Sequence, residues 1–377
     1  MNFEEYPAKA LLAAAGLKVP RGVLARSADE AADIAATIGP CVVKAQVPTG
    51  KRGKAGGIKV AGTAQEARSH AASILGMQID AHTVEKVLIE ALVPIKRELY
   101  AAIVNDNAAC GPALLFSVHG GMDVEEALAR DAEALRRLPI DIRSGLSIRQ
   151  ATAAVSGFDL DDAEEAVAAA LMKLYEVYRS SDAEMLEINP LVVTEDGGTI
   201  ALDCKLIVDD ASAYRQQELV TQASAEHLIA LEAEARDNHL KYIELDGSVG
   251  ILANGAGLTM TTMDVVAHFG GRPANFLEIG GEAYTQGRLA VKILLKNPRL
   301  KSLLVNFCGA FARTDVMASG VIEAWKDLKP EIPIFFTIHG TGEDEAIALV
   351  EAELGIKSFD RMDDAVRAAV EAAGQAR

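Results

Sequence analysis

The pattern of apolar and polar positions divides the chain into two halves with different rhythms. In the first half, helical and strand-like periods are mixed. Residues 3 to 15 read as an amphipathic helix stopped at Gly16, with Leu11, Leu12 and the alanine cluster facing inward. Ser27 caps a second helix over residues 28–38, and a strand over 41–47 follows. Thr63 caps a helix that runs to about Leu75. Strand-like runs then come near 86–92, 98–104 and 112–118, separated by turn residues such as Asn105-Asp106-Asn107. His119-Gly120-Gly121 opens a loop into an acidic helix start, Asp123-Val124-Glu125-Glu126. A long alanine-rich helix over 161–179 precedes two apolar strands, 184–193 and 199–208. They are joined by Glu195-Asp196-Gly197-Gly198, and Asp-Gly or Gly-Gly between such strands is a strong hairpin signal.

From about 210 to 240 the chain is helical, polar and rich in alanine and glutamate, ending at His239, and reads as a connection between domains. After Lys241 the rhythm changes. Strand-like runs at 249–253, 274–279, 302–307, 332–337 and 356–359 alternate with helices at about 258–269, 285–296, 315–328, 343–353 and 361–374. Five β-α units in succession predict a parallel, doubly wound sheet with helices on both faces. The expected fold class is therefore α/β, a strand-rich first domain followed by a doubly wound second one.

Length and charge narrow the function. A chain of 377 residues has room for two or three domains. A formal net charge of -17 argues against general nucleic-acid binding, because most of this surface would repel a phosphate backbone. The four cysteines, Cys41, Cys110, Cys204 and Cys308, are scattered, with no C-x-x-C pair. They suggest thiols in a reducing compartment and neither a disulfide framework nor a zinc site. No apolar run approaches the roughly 18 residues that a membrane span needs. Glu4 and Glu5 fit neither a signal nor a transit peptide. A soluble, cytoplasmic protein without a membrane or nucleic-acid partner is expected.

Against that acidic background one segment stands out. Val42 to Val60 carries five cations, Lys44, Lys51, Arg52, Lys54 and Lys59, and no acid, with Gly50, Gly53, Gly56 and Gly57 among them. Glycines let backbone N–H groups approach a ligand, and lysines bring charge to phosphate oxygens. Taken alone the segment is either a solvated basic loop or a phosphate clamp, and its spacing matches neither the P-loop nor the dinucleotide turn. The hairpin supplies a second pointer. Folding it about residue 196 sets Asn189 opposite or nearly opposite Asp203. An amide oxygen and a carboxylate projecting together suit Mg²⁺, which takes oxygen ligands and keeps waters and substrate phosphates; the bland alternative is two polar strand-end residues. In the second half, the turns NGAGLT (254–259), GGEAY (280–284), CGAFARTD (308–315) and HGTGED (339–344) fall at the carboxyl ends of strands, where doubly wound sheets bind ligands. A helix beginning near Gly257 would offer N–H groups and a positive dipole end to an anion.

With these residues in view, the chain resembles the β subunit of succinyl-CoA synthetase, the ADP- or GDP-forming succinate–CoA ligase. The likeness spans almost the whole chain: NFEEYPAKALLAAAGLKVP at the start, VVKAQV and RGKAGGIKV, KRELY (96–100), EINPLVV (187–193), ALDCK (201–205), NGAGL (254–258), TMD (262–264) and PANFLEIGG (273–281). The resemblance implies an ATP-grasp domain over 1–238 and a flavodoxin-like CoA-ligase domain over 239–377. It implies that Lys44, Arg52, Gly53, Glu90 and Glu98 hold ATP or GTP, joined by Lys51, with Val93 near the base, and that Asn189 and Asp203 bind Mg²⁺. It also implies a partner α subunit, in an αβ or α2β2 heteromer, that carries the phosphorylated histidine and binds most of the CoA. Glu187 is the candidate that meets that phosphohistidine. Asn254 and the turn Ala310, Phe311 and Ala312 would receive the small carboxylic acid.

Several positions depart from the family pattern. Lys51 replaces a glycine, and His119 replaces an acidic residue. Cys204 stands where a glycine usually follows the aspartate. The turn usually written F-G-G-I-x-R-C-D is here Cys308-Gly309-Ala310-Phe311-Ala312-Arg313-Thr314-Asp315, and R-L-x-G-x-N is Thr337-Ile338-His339-Gly340-Thr341-Gly342. A Cβ at Ala310 stands where a backbone N–H should approach the carboxylate. The readings left open are a ligase for succinate, a ligase for a related acid such as malate, an ATP-grasp ligase acting alone, and a paralogue that binds nucleotide without turnover.

Overall fold

The computed structural model describes residues 1–121, 135–224 and 228–375. The expected acidic helix start at 123–126 lies outside the described residues. The chain divides into two compact units, Met1–His227 and Leu228–Arg377.

The first unit contains two larger antiparallel sheets. The smaller is built from β1 (Gly22–Ala25), β2 (Cys41–Ala45), β3 (Ile58–Ala61) and β6 (Val87–Ala91), in the order β1-β6-β2-β3. Between β3 and β6 lies a two-stranded pair, β4 (Gln78–Ile79) and β5 (His82–Thr83). Helices α2 (Ala28–Ile38) and α3 (Ala64–Ile74) cover one face of the smaller sheet and bury Ala31, Ala35, Ala67, Ala71 and Ile74 among Val43, Ala45 and Ile89. Both helices start as their sequences predict: the Ser27 hydroxyl accepts from the Glu30 N–H at 3.1 Å and that of Thr63 from Glu66 at 3.2 Å.

The larger sheet comprises β7 (Arg97–Asp106), β8 (Gly111–Ser117), β9 (Leu135–Pro139), β10 (Ala183–Val193), β11 (Thr199–Ala201) and β12 (Lys205–Val208). Its order is β11-β10-β7-β8-β9, with β12 also paired to β10. Helix Glu164–Ser180 packs Val167, Leu171 and Leu174 into a core with Leu99, Ile103, Phe116 and Leu186.

Helix α1 (Glu5–Ala14) corrects one expectation. Its buried face is Glu5, Ala8, Lys9 and Leu12, whereas Leu11 is only partly buried and Ala10, Ala13 and Ala14 are exposed. The spacing i, i+3, i+4, i+7 is the ordinary core stripe, but two of its four positions are charged.

The second unit holds the five β-α units. β14 (Val249–Ala253), β16 (Ser302–Gly309) and β17 (Ile334–Gly340) form parallel ladders in the order β14-β16-β17. β15 (Asn275–Leu277) flanks β14 through parallel bridges at Val249–Pro273 and Ala253–Glu278, and Phe359 bridges Thr337 on the far side. The five strand-like runs thus lie in the flavodoxin-like order 2-1-3-4-5. Their helices are Ala256–His268, Gly287–Leu294, Thr314–Leu328, Glu343–Leu354 and Met362–Gln375. β13 (Tyr242–Glu244), which the pattern did not announce, adds an antiparallel edge to β15.

The segment between 210 and 240 is not one helix. It contains short turns at Asp210–Ser212 and Gln217–Val220, then helix Ala230–Asp237. Ala235 of that helix joins the second core with Leu240 and Tyr242, so the contacts divide the chain earlier than residue 238. No described helix is long and apolar enough to cross a membrane.

Candidate functional site

The hairpin builds the first part of the site. Leu191 pairs with Ala201, and Glu187 with Lys205, so one register runs through both segments and sets Asn189 opposite Asp203. A register shift against β7 between Ile188 and Leu191 marks a bulge at Asn189-Pro190. A bulge inserts an extra residue and re-aims its neighbours, which turns Asn189 out of the ladder. The Asn189 amide oxygen accepts from the Gly121 N–H at 2.8 Å. Asp203 Oδ1 accepts from the Cys204 N–H at 2.7 Å and from Arg52 Nη2 at 2.6 Å. Burial, reinforced by the neighbouring Asp203, pushes the Cys204 thiol well above its ordinary range, so it stays a neutral packing group.

Around Arg52 lies a buried network of charges. Lys44 on β2 donates to Glu5 Oε1 at 2.9 Å, to Glu90 Oε2 on β6 at 2.7 Å and to the Leu202 carbonyl at 2.6 Å. Arg52 also reaches Glu5 Oε2 at 2.7 Å and the Ala45 carbonyl at 2.8 Å. Burial alone would push the Glu5 carboxyl up, but Lys44, Arg52 and Lys9 together outweigh it and hold it well below the carboxylate range. Burial would likewise lower Lys44, yet Glu5 and Glu90 raise it above the ordinary lysine value. Glu5 and Lys44 are therefore both charged at neutral pH.

The expected site residues do not all come together. Lys44, Arg52, Glu90 and Asp203 meet in the charge network. Glu98 and Asn189 meet at the His119-Gly120-Gly121 turn, where the Gly120 N–H donates to the Glu98 carbonyl at 3.2 Å. A Cβ on Gly120 would stand 2.4 Å from the Leu99 carbonyl oxygen, and Gly121 has φ 72, so the turn calls for glycine at both positions. Glu187 accepts the Tyr100 hydroxyl at 3.1 Å; burial first and that carboxylate second raise the phenol above its ordinary range, keeping it a donor. Val93 lies in the connection between β6 and β7, where Leu92 and Ile95 are exposed. Lys51, the residue in a family glycine position, has φ 59, the left-handed conformation that glycine adopts without strain. Gly53 is exposed beside it.

In the second unit, Asn254 ties two strand ends together. Its amide nitrogen donates to the Cys308 carbonyl at 2.9 Å, and its oxygen accepts from the Cys308 N–H at 2.6 Å. The turn after Gly309 is pinned by the Thr341 hydroxyl on the Ala310 carbonyl at 2.9 Å. Ala312 is buried, whereas Phe311 is 88% exposed. At the start of the helix Ala256–His268, Glu278 Oε2 accepts from the N–H groups of Gly255 at 3.1 Å and Gly280 at 2.9 Å.

Among the described residues no group of three or more His, Cys, Asp or Glu gathers around one point. That excludes a cage of such ligands there, but not Mg²⁺, which needs one or two protein oxygens and completes its shell with water and phosphate. Asn189 and Asp203, opposite in register, offer an amide oxygen and a carboxylate, a donor set of the kind that Mg²⁺ takes. Sequence reasoning missed Glu5 and Lys9, which complete the network, and the packing role of Gly120 and Gly121. The only signal was the charge at two positions of an otherwise apolar helical stripe.

A model of the ATP-grasp domain matches residues 2–193 and a model of the CoA-ligase domain matches residues 252–370. This pairing defines a nucleotide-binding CoA ligase. The chain is 42% identical to the GDP-forming succinate–CoA ligase subunit β of Thermus thermophilus over 94% of each chain. It is also 42% identical to the ADP-forming subunit β of Rubrobacter xylanophilus, and 41% to that of Cupriavidus taiwanensis, over 99% of each chain. The chain belongs to the succinate–CoA ligase β-subunit family. A solved structure of ATP citrate lyase from Methanothrix soehngenii, in complex with citrate and coenzyme A, shares the fold at a TM-score of 0.73 and 21% identity, covering 98% of this chain and 99% of that one. As a β subunit, the chain has a partner subunit.

Proposed function

We propose that this β subunit binds Mg²⁺ with ATP or GTP on its first unit, phosphorylates a histidine of an α-type partner, and shares with that partner the conversion of a small carboxylic acid to its CoA thioester. The observation that carries the reading is the 2.6 Å contact of Arg52 with Asp203, which brings the basic loop onto the hairpin facing Asn189. Lys44, Lys51 and Arg52 supply positive charge, and the Gly53 backbone admits close approach of the phosphates. Glu90 holds Lys44, and Glu98 and Val93 complete the nucleotide side, Val93 near the base.

Mg²⁺, held by Asn189 and Asp203, would neutralise charge on the transferring phosphate. The γ-phosphoryl bond to the nucleoside diphosphate breaks as the bond to the imidazole nitrogen forms. Glu187, oriented by Tyr100, receives the imidazole N–H of the partner's histidine and fixes its ring. The phosphoryl group then passes to an oxygen of the acid, and the CoA thiolate attacks the acyl carbon and releases phosphate. CoA is bound mostly by the partner, while Asn254 and the turn Ala310, Phe311 and Ala312 face the carboxylate. The free cysteines accord with a cytoplasmic setting.

The altered turn favours a second reading of the substrate, in which the acid is a relative of succinate such as malate. The test is to purify the chain with its α-type partner and measure Mg²⁺-dependent ADP or GDP release with CoA across a panel of carboxylates. Turnover with succinate or another acid supports the ligase; nucleotide binding without turnover overturns it in favour of a non-catalytic paralogue.

A further inference from the structure

Two charged side chains that the chemistry above leaves without a task lie at the centre of the site. Glu5 and Lys9 stand one turn apart on α1 and are 2% and 4% exposed. Glu5 Oε1 accepts from Lys9 Nζ at 3.2 Å and from Lys44 Nζ at 2.9 Å, while its Oε2 receives Arg52 at 2.7 Å. Lys9 donates in turn to Glu90 Oε1, and Lys44 donates to Glu90 Oε2 at 2.7 Å. The four residues close a ring, Glu5–Lys9–Glu90–Lys44. Both ammonium groups also donate to the Leu202 carbonyl, at 2.8 Å from Lys9 and 2.6 Å from Lys44.

This ring spans the two sheets of the first unit. Lys44 and Glu90 come from the smaller sheet, whereas Leu202 directly precedes Asp203 on the hairpin of the larger one. Helix α1 therefore ties the cation side of the site to the metal side. Apolar residues of equal volume would stabilise such a junction at least as well as buried ion pairs. They would not aim an ammonium and a guanidinium at a common point, nor keep a carboxylate neutralised when one cation turns away.

We propose that Glu5 and Lys9 are positioning residues for phosphoryl transfer: Glu5 orients Lys44 and Arg52 together, and Lys9 keeps Glu5 and Glu90 compensated while Lys44 engages phosphate. The assignment rests on the nucleotide site proposed above. Without Lys9, two carboxylates share Lys44 and compete with the phosphate for it. Without the Glu5 charge, Lys44 and Arg52 lose their common anchor.

The test uses the chain assembled with its α-type partner. Mg²⁺-ATP and Mg²⁺-GTP are titrated calorimetrically, and KM is measured for nucleotide, CoA and the carboxylate. Glu5→Gln and Lys9→Met are expected to raise nucleotide Kd and KM about tenfold or more, with the other two KM values within about twofold. Lys9→Arg, which restores the charge, recovers most of the loss. Unchanged nucleotide Kd, or equal shifts in all three KM values, overturns the proposal. Should Glu5→Gln fold poorly, Glu5→Asp keeps the charge but withdraws it by one methylene, and the same split between KM values decides. Wild-type protein that binds no nucleotide overturns the site and this assignment together; wild-type binding with unaltered variants overturns this assignment alone.

Discussion

The charge network of the first unit and the glycine turns of the second hold their residues in place by opposite means. In the network, acidic and basic side chains from α1, β2, β6, the basic loop and the hairpin pair with one another, and Glu5, Lys44, Arg52 and Glu90 are all buried. In the turns the backbone bonds to itself: the Thr341 N–H donates to the Gly309 carbonyl at 2.8 Å, and the Thr314 N–H to the Thr341 carbonyl at 2.9 Å. There the most prominent apolar side chain, Phe311, stands in solvent. The first region should therefore be sensitive to lost charge, and the second to added volume at glycine and much less to the identity of its exposed side chains. Desolvation explains the first half of that contrast, since a buried charge without its partner is costly. Close backbone packing explains the second.

The largest effect expected is from Asp203→Ala. It removes one of the two oxygens proposed to hold the metal, so Mg²⁺-dependent phosphorylation of the partner should fall about a thousandfold, ~4 kcal/mol of barrier, while Arg52 keeps Glu5 and the Ala45 carbonyl as partners and the fold persists. Persistent phosphorylation, followed by ³²P transfer from γ-labelled nucleotide, would show that the metal assignment is wrong. Next comes Gly340→Ala. Gly340 has φ 96, and a Cβ there would lie 1.9 Å from the Gly309 carbonyl oxygen, so a loss of ~3 kcal/mol in urea unfolding is expected. Gly50→Ala is the control, because a Cβ at that glycine has nothing within 4 Å, and its effect should stay within about 0.5 kcal/mol.

Acid should probe the network without mutation. The Glu5 carboxyl is depressed in the folded state, so its contribution to stability is complete above the unfolded carboxylate value and is lost as pH falls through the folded one. The stability gap between wild type and Glu5→Gln should be constant above about pH 5 and shrink progressively below about pH 4.3. A gap that narrowed instead toward alkaline pH would contradict the ion-pair account. The smallest effect concerns the turn proposed to receive the carboxylate. Ala310→Gly with Phe311→Ile is expected to raise kcat/KM for succinate a few-fold, about 1 kcal/mol, with little change in Tm because Phe311 is exposed. Unchanged or lower kcat/KM would assign specificity elsewhere.

Much of the architecture was legible from local rules. The caps at Ser27 and Thr63 follow from side-chain chemistry within three residues, and the hairpin register follows from turn composition, which counts outward to Asn189 and Asp203. The five β-α units were legible because each buries a short apolar run between helices. The bulge at Asn189-Pro190 was not, since it is a relation to β7, which lies far away in the chain. Nor was edge strand β13, three residues long, which exists only because β15 offers it an edge.

What the sequence determined by itself was the order and type of elements, the basic loop, the facing pair on the hairpin and, through its motifs, the family. Which charges are buried together was decided only by tertiary structure. Glu5 meets Lys9 one helical turn away, but it meets Lys44 39 residues on, and Lys9 reaches the Leu202 carbonyl across 193 residues. A charged residue on a helix is soluble and unremarkable in isolation. Only the approach of two sheets removes water from the face of α1 that carries Glu5 and Lys9 and obliges those charges to pair.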